Sequence, residues 1–397
     1  MSRLGARRSA ARVPLPRGFG VIWTTVALDL VGFGIILPVL PLYARRFHAS
    51  PTVIGLLLAS FSAAGIVCAP LWGRVSDRIG RKPVLVVSLV GTAVGSLLTG
   101  LAGGIGLLFA ARIVDGASGA SVSVAQASVA DLALPGERAR LFGLLGAAFG
   151  LGFVFGPALG GALSLVSARL PFFVAAGLAG VNALVAVGRL PETRPGTTTV
   201  TDSPRPTLRL PGVAGLLAVA FLALVSFSAF EATFALFANT RLGLGEPSTY
   251  AVFVVIGVLI AADQVVLVRP FVKRYGERNS LRVGLVLNAA GLLALMGVHS
   301  LVALAPALLA LTAGQGLITP TLSSAVAGAA PLDQRGRLLG LQQSVSGLAR
   351  VVGPALGGVA FGRLGVWVPY AGGAALLLFA ISLLQAVPRP LPEMVAG

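Results

Sequence analysis

Apolar stretches of about 20 residues recur along the whole chain, and the short segments between them hold nearly all the charge. A helix of about 20 residues crosses a hydrocarbon core about 30 Å thick. The pattern therefore predicts twelve membrane-spanning helices. The first six run from Phe19 to Tyr43, Thr52 to Trp72, Pro83 to Ala102, Ile105 to Ala130, Leu141 to Val166 and Leu170 to Val187. The second six run from Val213 to Asn239, Thr249 to Val268, Leu281 to His299, Val302 to Ala329, Leu338 to Gly362 and Val366 to Val387. Strands of an outer-membrane barrel would be half as long and alternate in polarity, which these runs do not. The expected class is an all-α integral membrane protein.

Composition narrows the chemistry. Of 397 residues 56% are hydrophobic and 11% charged, against about 25% charged in soluble domains. The 52 glycines suit helices that pack closely in lipid. One cysteine, Cys68, rules out internal disulfides and cysteine-based metal clusters, and two histidines, His48 and His299, offer too few nitrogens for most metal sites. No metal, no resident cofactor and no enzyme activity are expected. The net charge of +17 is topological, because it lies between the apolar runs and forms no basic block with interleaved aromatics. No nucleic-acid partner is expected. With the N-terminal tail taken as cytoplasmic, 23 of the 30 Lys and Arg fall in that tail, the even-numbered connections and the C-terminus, and 5 in the odd-numbered connections. That asymmetry predicts both termini on the cytoplasmic side.

The chain repeats itself. Glu137 to Leu163 and Gln334 to Ala360 match at 14 of 27 positions at a constant offset of 197 residues, with Arg138, Arg140 and Pro157 answering to Arg335, Arg337 and Pro354. Pro191 to Pro211 is rich in Pro, Thr and charge and reads as a linker. The expected organisation is a basic tail over 1–18, a six-helix half over 19–189, a cytoplasmic linker over 190–211, a second half over 212–387 and a tail over 388–397.

The second connection reads GRVSDRIGRKPVL, from Gly73 to Leu85, and resembles the signature loop of the major facilitator superfamily. Gly73, Asp77, Arg78, Gly80, Arg81 and Lys82 fall where that pattern wants them, and the resemblance implies a conformational latch against the other half. The eighth connection, Arg269 to Asn279, keeps Gly276 but has Lys273 where Asp77 would correspond, so one full latch is expected. RIVDGASGA, from Arg112 to Ala120, looks like the family's conserved-arginine motif. GFVFGPALGG, with Gly152, Gly156, Pro157, Gly160 and Gly161, is similar to the glycine–proline motif of its antiporter branch. With ALDLVGFGIILPVLPLY, from Ala27 to Tyr43, these features resemble the twelve-span drug:proton antiporters, including the tetracycline exporters. Those exporters carry an acid in the third helix, where Ser88 to Leu98 holds only glycine and small or apolar residues, which points away from tetracycline itself.

With Arg282, at the very start of the ninth span, counted with the connection before it, six Asp, Glu, Lys or Arg residues fall inside the predicted spans: Asp29, Arg112, Asp115, Glu231, Asp263 and Arg350. Each costs about 2.5–3.5 kcal/mol to insert, so each is a candidate for function. Each half holds two acids and one base, so pairing the base with one acid leaves the other to carry a proton. Arg112 and Asp115 are three apart and share a helix face. Asp29 is then the leading proton carrier, Arg112 its electrostatic switch and Asp115 the competitor, the alternative being a fixed structural ion cluster. Arg350 pairs with Glu231 or Asp263. Phe227, Phe230, Glu231 and Phe234 lie at i, i+3, i+4 and i+7, a carboxylate within an aromatic stripe that suits an apolar cation or serves packing. Gln126, Asn182, Gln315, Gln342 and Gln343 are polar candidates for a central cavity or for bonds across helices.

The expected function is a secondary transporter of major facilitator fold, a monomer in a bacterial inner membrane, exporting an apolar or amphiphilic small molecule in exchange for protons. The alternatives are a symporter or uniporter of a metabolite and, from another class, a transport-dead receptor or scaffold. No GxxxxGK[ST] loop is present to bind ATP.

Overall fold

The structure is a computed structural model that describes residues 15–133, 138–193, 212–329 and 335–387. The terminal tails 1–14 and 388–397 lie outside the described residues, as does the linker beyond Thr193 up to residue 211. Among the described residues ten helices are long and apolar enough to cross a membrane. Counted in chain order as spans, these are spans 1 (Phe19–Arg45), 2 (Pro51–Ile79), 3 (Arg81–Leu101), 4 (Ile105–Leu132), 6 (Leu170–Arg189), 7 (Val213–Leu242), 9 (Glu277–Met296), 10 (Leu301–Gly328), 11 (Leu338–Arg363, its helix starting at Arg335) and 12 (Val368–Ala386). Span 5 (Arg138–Ser164) and span 8, built from Glu246–Ala262, a π-helix over Asp263–Val268 and Arg269–Tyr275, complete the all-helical bundle. Leu184, in the interior of span 6, presents 75% of its surface outward, which in a multi-pass membrane protein is the side facing lipid.

Where spans end differs from the sequence expectation in an instructive way. The signature segment is not a loop: the helix of span 2 continues through Gly73 and Asp77 to Ile79, and a single residue, Gly80, turns the chain into span 3. Gly80 has φ of 107°, open to glycine at no steric cost. The repeat does the same in the second half, where Gly276, φ 76°, joins span 8 to span 9. Span 4, expected to be continuous, breaks at Gly119 and Ala120. Two side chains collect the carbonyls released there: Trp72 Nε1 donates to Ala117 O at 2.6 Å and Ser88 Oγ donates to Ser118 O at 2.5 Å.

Packing follows the repeat. Span 5 crosses span 1 in the first half, and span 11 crosses span 7 in the second. Between the halves, span 5 meets span 8 and span 11 meets span 2. The glycines make these approaches possible. A Cβ on Gly156 would collide with Gly34 and one on Gly160 with the Ile35 backbone; their repeat partners Gly353 and Gly357 face Val225, Ser228 and Ala229 in the same way. Gly161 lies against the Tyr250 carbonyl, and its counterpart Gly358 against Pro51 and Gly55. Each glycine cluster therefore serves its own half with one face and the other half with the next.

Candidate functional site

The contacts that join the halves gather at the end of the bundle opposite the chain termini. Arg46 pairs with Glu246 there, and Arg45 Nη1 donates to Asn239 Oδ1 at 2.7 Å. Hydrogen bonding to Glu246 holds the Arg46 guanidinium above its ordinary pKa. The Gly161–Tyr250 and Gly358–Gly55 approaches lie at the same end.

Midway along the spans, a small cleft with a cavity volume of about 40 Å³ lies between the halves. It is lined from the first half by Phe33, Phe61, Ser62 and Arg112 and from the second by Ser228, Glu231 and Arg350. Three of the six intramembrane charges thus share one wall-to-wall space. Arg112, 2% exposed, donates from Nη1 to Asp115 at 2.6 Å and lays its guanidinium 4.3 Å over the Phe61 ring. Gly95 of span 3 makes room for Asp115, since a Cβ there would collide with it. The small residues of Ser88 to Leu98 are in this sense the mould for span 4.

Asp29 is half-buried and sits behind this group, accepting from Ser121 Oγ at 2.5 Å just past the break in span 4. Glu231 has Arg350 as its charged neighbour. Asp263 is elsewhere: it begins the π-helix of span 8 and packs against Gly316 of span 10. Of the two acids open to Arg350 in the sequence, Glu231 is the one that shares the cleft with it.

Of the two readings open for the aromatic stripe, its phenylalanines take the packing one. Phe227, Phe230 and Phe234 stack on one another with centroids 5.8 and 5.1 Å apart, and Phe234 meets Phe253 of span 8 edge-on at 5.5 Å. They are buried in the core and are not among the cleft-lining residues. Glu231 lies at the edge of their stripe, about 40° round the helix from Phe227, and that offset turns it into the cleft while the rings turn away. The rings on the cleft are Phe33 and Phe61, 5.1 Å apart, which no helical stripe announced. The amides mostly bridge neighbouring helices. Asn182 donates to Thr25 O at 2.8 Å, Gln315 accepts from Asn288 at 3.2 Å, and Gln342 donates to Ser323 at 3.3 Å. Gln126 is half-buried on span 4, and Gln343 is exposed.

At the other end, the signature residues form a cluster inside the first half. Arg81 bridges Asp77 at 2.5 Å and Asp131 at 3.0 Å, and its backbone N–H donates to Glu192 Oε1 at 2.8 Å. Lys82 N–H donates to the other Glu192 oxygen at 3.2 Å. Arg78 is exposed. Asp131 and Glu192 were not singled out from the sequence. The only hint was an acid directly after span 6, in reach of a helix start whose free amides attract a carboxylate.

The sequence of the chain matches the Major Facilitator Superfamily over residues 22–269 and 264–396. The chain belongs to that superfamily. Membership makes it a transporter rather than an enzyme. It is 32% identical over 345 residues to the class C tetracycline resistance protein of Escherichia coli, covering 84% of this chain and 87% of the relative. It is 29% identical to multidrug resistance protein 1 of Bacillus subtilis, covering 93% and 96%. Among solved structures, the human organic anion transporter MFSD10 (TETRAN) superposes with a TM-score of 0.72 at 27% identity, covering 93% of this chain and 99% of that one. A bacterial homologue of the human lysosomal transporter Spinster, in an inward-facing and occupied conformation, shares the fold with a TM-score of 0.69 at 16% identity, covering 95% and 97%.

Proposed function

We propose that this protein exports an apolar or amphiphilic, drug-like small molecule across a bacterial inner membrane in exchange for protons. The observation that carries the reading is the cleft between the halves, in which Arg112, Glu231 and Arg350 meet two aromatic rings. The names of the resistance proteins it resembles support export. The halves 19–189 and 212–387 rock about this cleft, with the linker 190–211 and both termini in the cytoplasm. The closed end opposite the termini then faces outward, and the conformation described is the inward-facing one.

Within this scheme Asp29 carries the proton, with Arg112 and Asp115 setting the field around it. Glu231 and Arg350 perform the matching exchange in the second half, and Asp263 is a further acid on the cytoplasmic side of span 8. The signature residues Gly73 to Lys82 form the latch, engaging the second half when the cytoplasmic ends close. The protein acts as a monomer and needs no cofactor. One proton moving its charge through about 150 mV at roughly 2.3 kcal/mol per 100 mV supplies about 3.5 kcal/mol, enough for a gradient of a few hundred-fold.

The test is a panel of dyes and antibiotics in an efflux-deficient host. The protein should lower accumulation of at least one compound several-fold, and an uncoupler should restore accumulation to the control level. Accumulation that falls when the uncoupler is added would show uptake instead, and the export reading would be abandoned.

A further inference from the structure

The cleft has a chemical preference that its aromatic rings alone do not reveal. Two of the polar groups lining it have no hydrogen-bond partner among the described residues: Arg112 Nε and Ser228 Oγ. Both side chains are almost fully buried, at 2% and 3% exposure, and they come from opposite halves. An Nε–H can only donate, and a serine hydroxyl can donate. A buried donor left unmet costs about 1–3 kcal/mol, so such groups mark places where a ligand supplies the missing partner.

Charge points the same way. Arg112 and Arg350 line the cleft with one acid, Glu231, which has Arg350 as its charged neighbour. Asp115 takes Arg112 Nη1 and leaves Nε uncommitted. A cation entering here would face two guanidinium groups and find no unclaimed carboxylate among the lining residues. An anion would find two waiting donors. Phe61, beneath the Arg112 guanidinium, and Phe33, with its ring tilted by 32° against it, supply apolar surface to the same cleft.

We propose that the cleft takes aromatic substrates bearing a carboxylate or similar delocalised oxyanion, the anion received by Arg112 Nε–H and Ser228 Oγ–H and the ring by Phe33 and Phe61. This names the substrate class of the export reading and rests on that reading for its meaning. It takes the opposite charge from the apolar cation that Glu231 and the phenylalanines of span 7 suggested in the sequence.

The test is equilibrium binding, without a gradient, to the purified full-length protein by fluorescence polarisation. The probes are fluorescein, an anionic xanthene, and rhodamine 6G, a cationic xanthene. Fluorescein should bind at least tenfold more tightly than rhodamine 6G. Arg112→Lys, which keeps a charge for Asp115 but loses Nε, and Ser228→Ala should each weaken fluorescein about tenfold and leave rhodamine 6G unchanged. If Arg112→Lys does not fold, Ser228→Ala carries the comparison by itself. Rhodamine 6G binding the more tightly, or fluorescein binding unchanged in the folded variants, overturns the proposal. Failure of the export reading shows elsewhere, as fluorescein bound with the expected preference but never moved by a proton gradient in proteoliposomes.

Discussion

Asp29 accepts a hydrogen bond from Ser121, and the residue that gives that bond belongs to the segment just beyond the break in span 4. A proton arriving at this carboxylate changes what it can accept, and so bears directly on how that segment sits. Replacing Asp29 with Asn should reduce proton-driven transport in everted vesicles at least tenfold while substrate counterflow without a gradient persists; unaltered driven transport would remove Asp29 from the mechanism. Asp115 answers a different question. Its carboxylate neutralises a guanidinium that is 2% exposed, and removing one partner of a buried pair costs about 3–5 kcal/mol. Asp115→Ala should therefore lower the thermal unfolding temperature in detergent far more than Asp29→Asn does. The three-residue spacing made the Arg112–Asp115 contact legible in advance, since helical geometry alone sets it. The Ser121 contact was not, because it depends on where span 4 breaks.

At the scale of elements, two devices organise motion. The first is the pair of glycine clusters. Gly161 and Gly358 stand at equivalent positions of the repeat, each against the backbone of the opposite half. A large side chain at Gly358 would meet Pro51 and Gly55, and backbone can yield only by moving the spans apart. Gly358→Leu should hold the outer end open. In a Cys68→Ala background carrying Ser62→Cys in the cleft, labelling by an impermeant maleimide added outside should rise several-fold. The second device is the start of span 3, where Glu192 accepts two backbone amides and ties the linker to the signature cluster. Glu192→Ala removes a helix cap worth about 1 kcal/mol. The expected result is slower turnover with KM little changed, measured with the same fluorescent substrate; a change confined to KM would assign Glu192 to binding. Gly80 and Gly276 were visible as repeat partners, yet the continuation of both helices up to them was hidden, because glycine and charge in a connection read equally well as a loop.

For the whole molecule, the ion pair that joins the halves adds little to the close packing of the spans at the same end. The Arg46–Glu246 pair leaves 50% and 32% of its side chains exposed, so it contributes at most about 1 kcal/mol and is screened by salt. Glu246→Gln should shift the two forms by no more than about fivefold in the maleimide assay, and the exchanged pair Arg46→Glu with Glu246→Arg should restore the balance. A larger effect would mean that this contact holds the gate by itself. The chain alone determined the class, the number of spans, the internal repeat and the residues that pay to enter lipid, because these follow from hydrophobic length and from spacing along one helix. Only the tertiary structure decided which charges share a cleft, that the phenylalanines of span 7 belong to the core, that Phe33 and Phe61 take their place, and that two donors are left waiting. Those are relations between helices whose mutual rotation is set by close packing at glycine, and a difference of about 40° round a helix separates a cavity wall from a core.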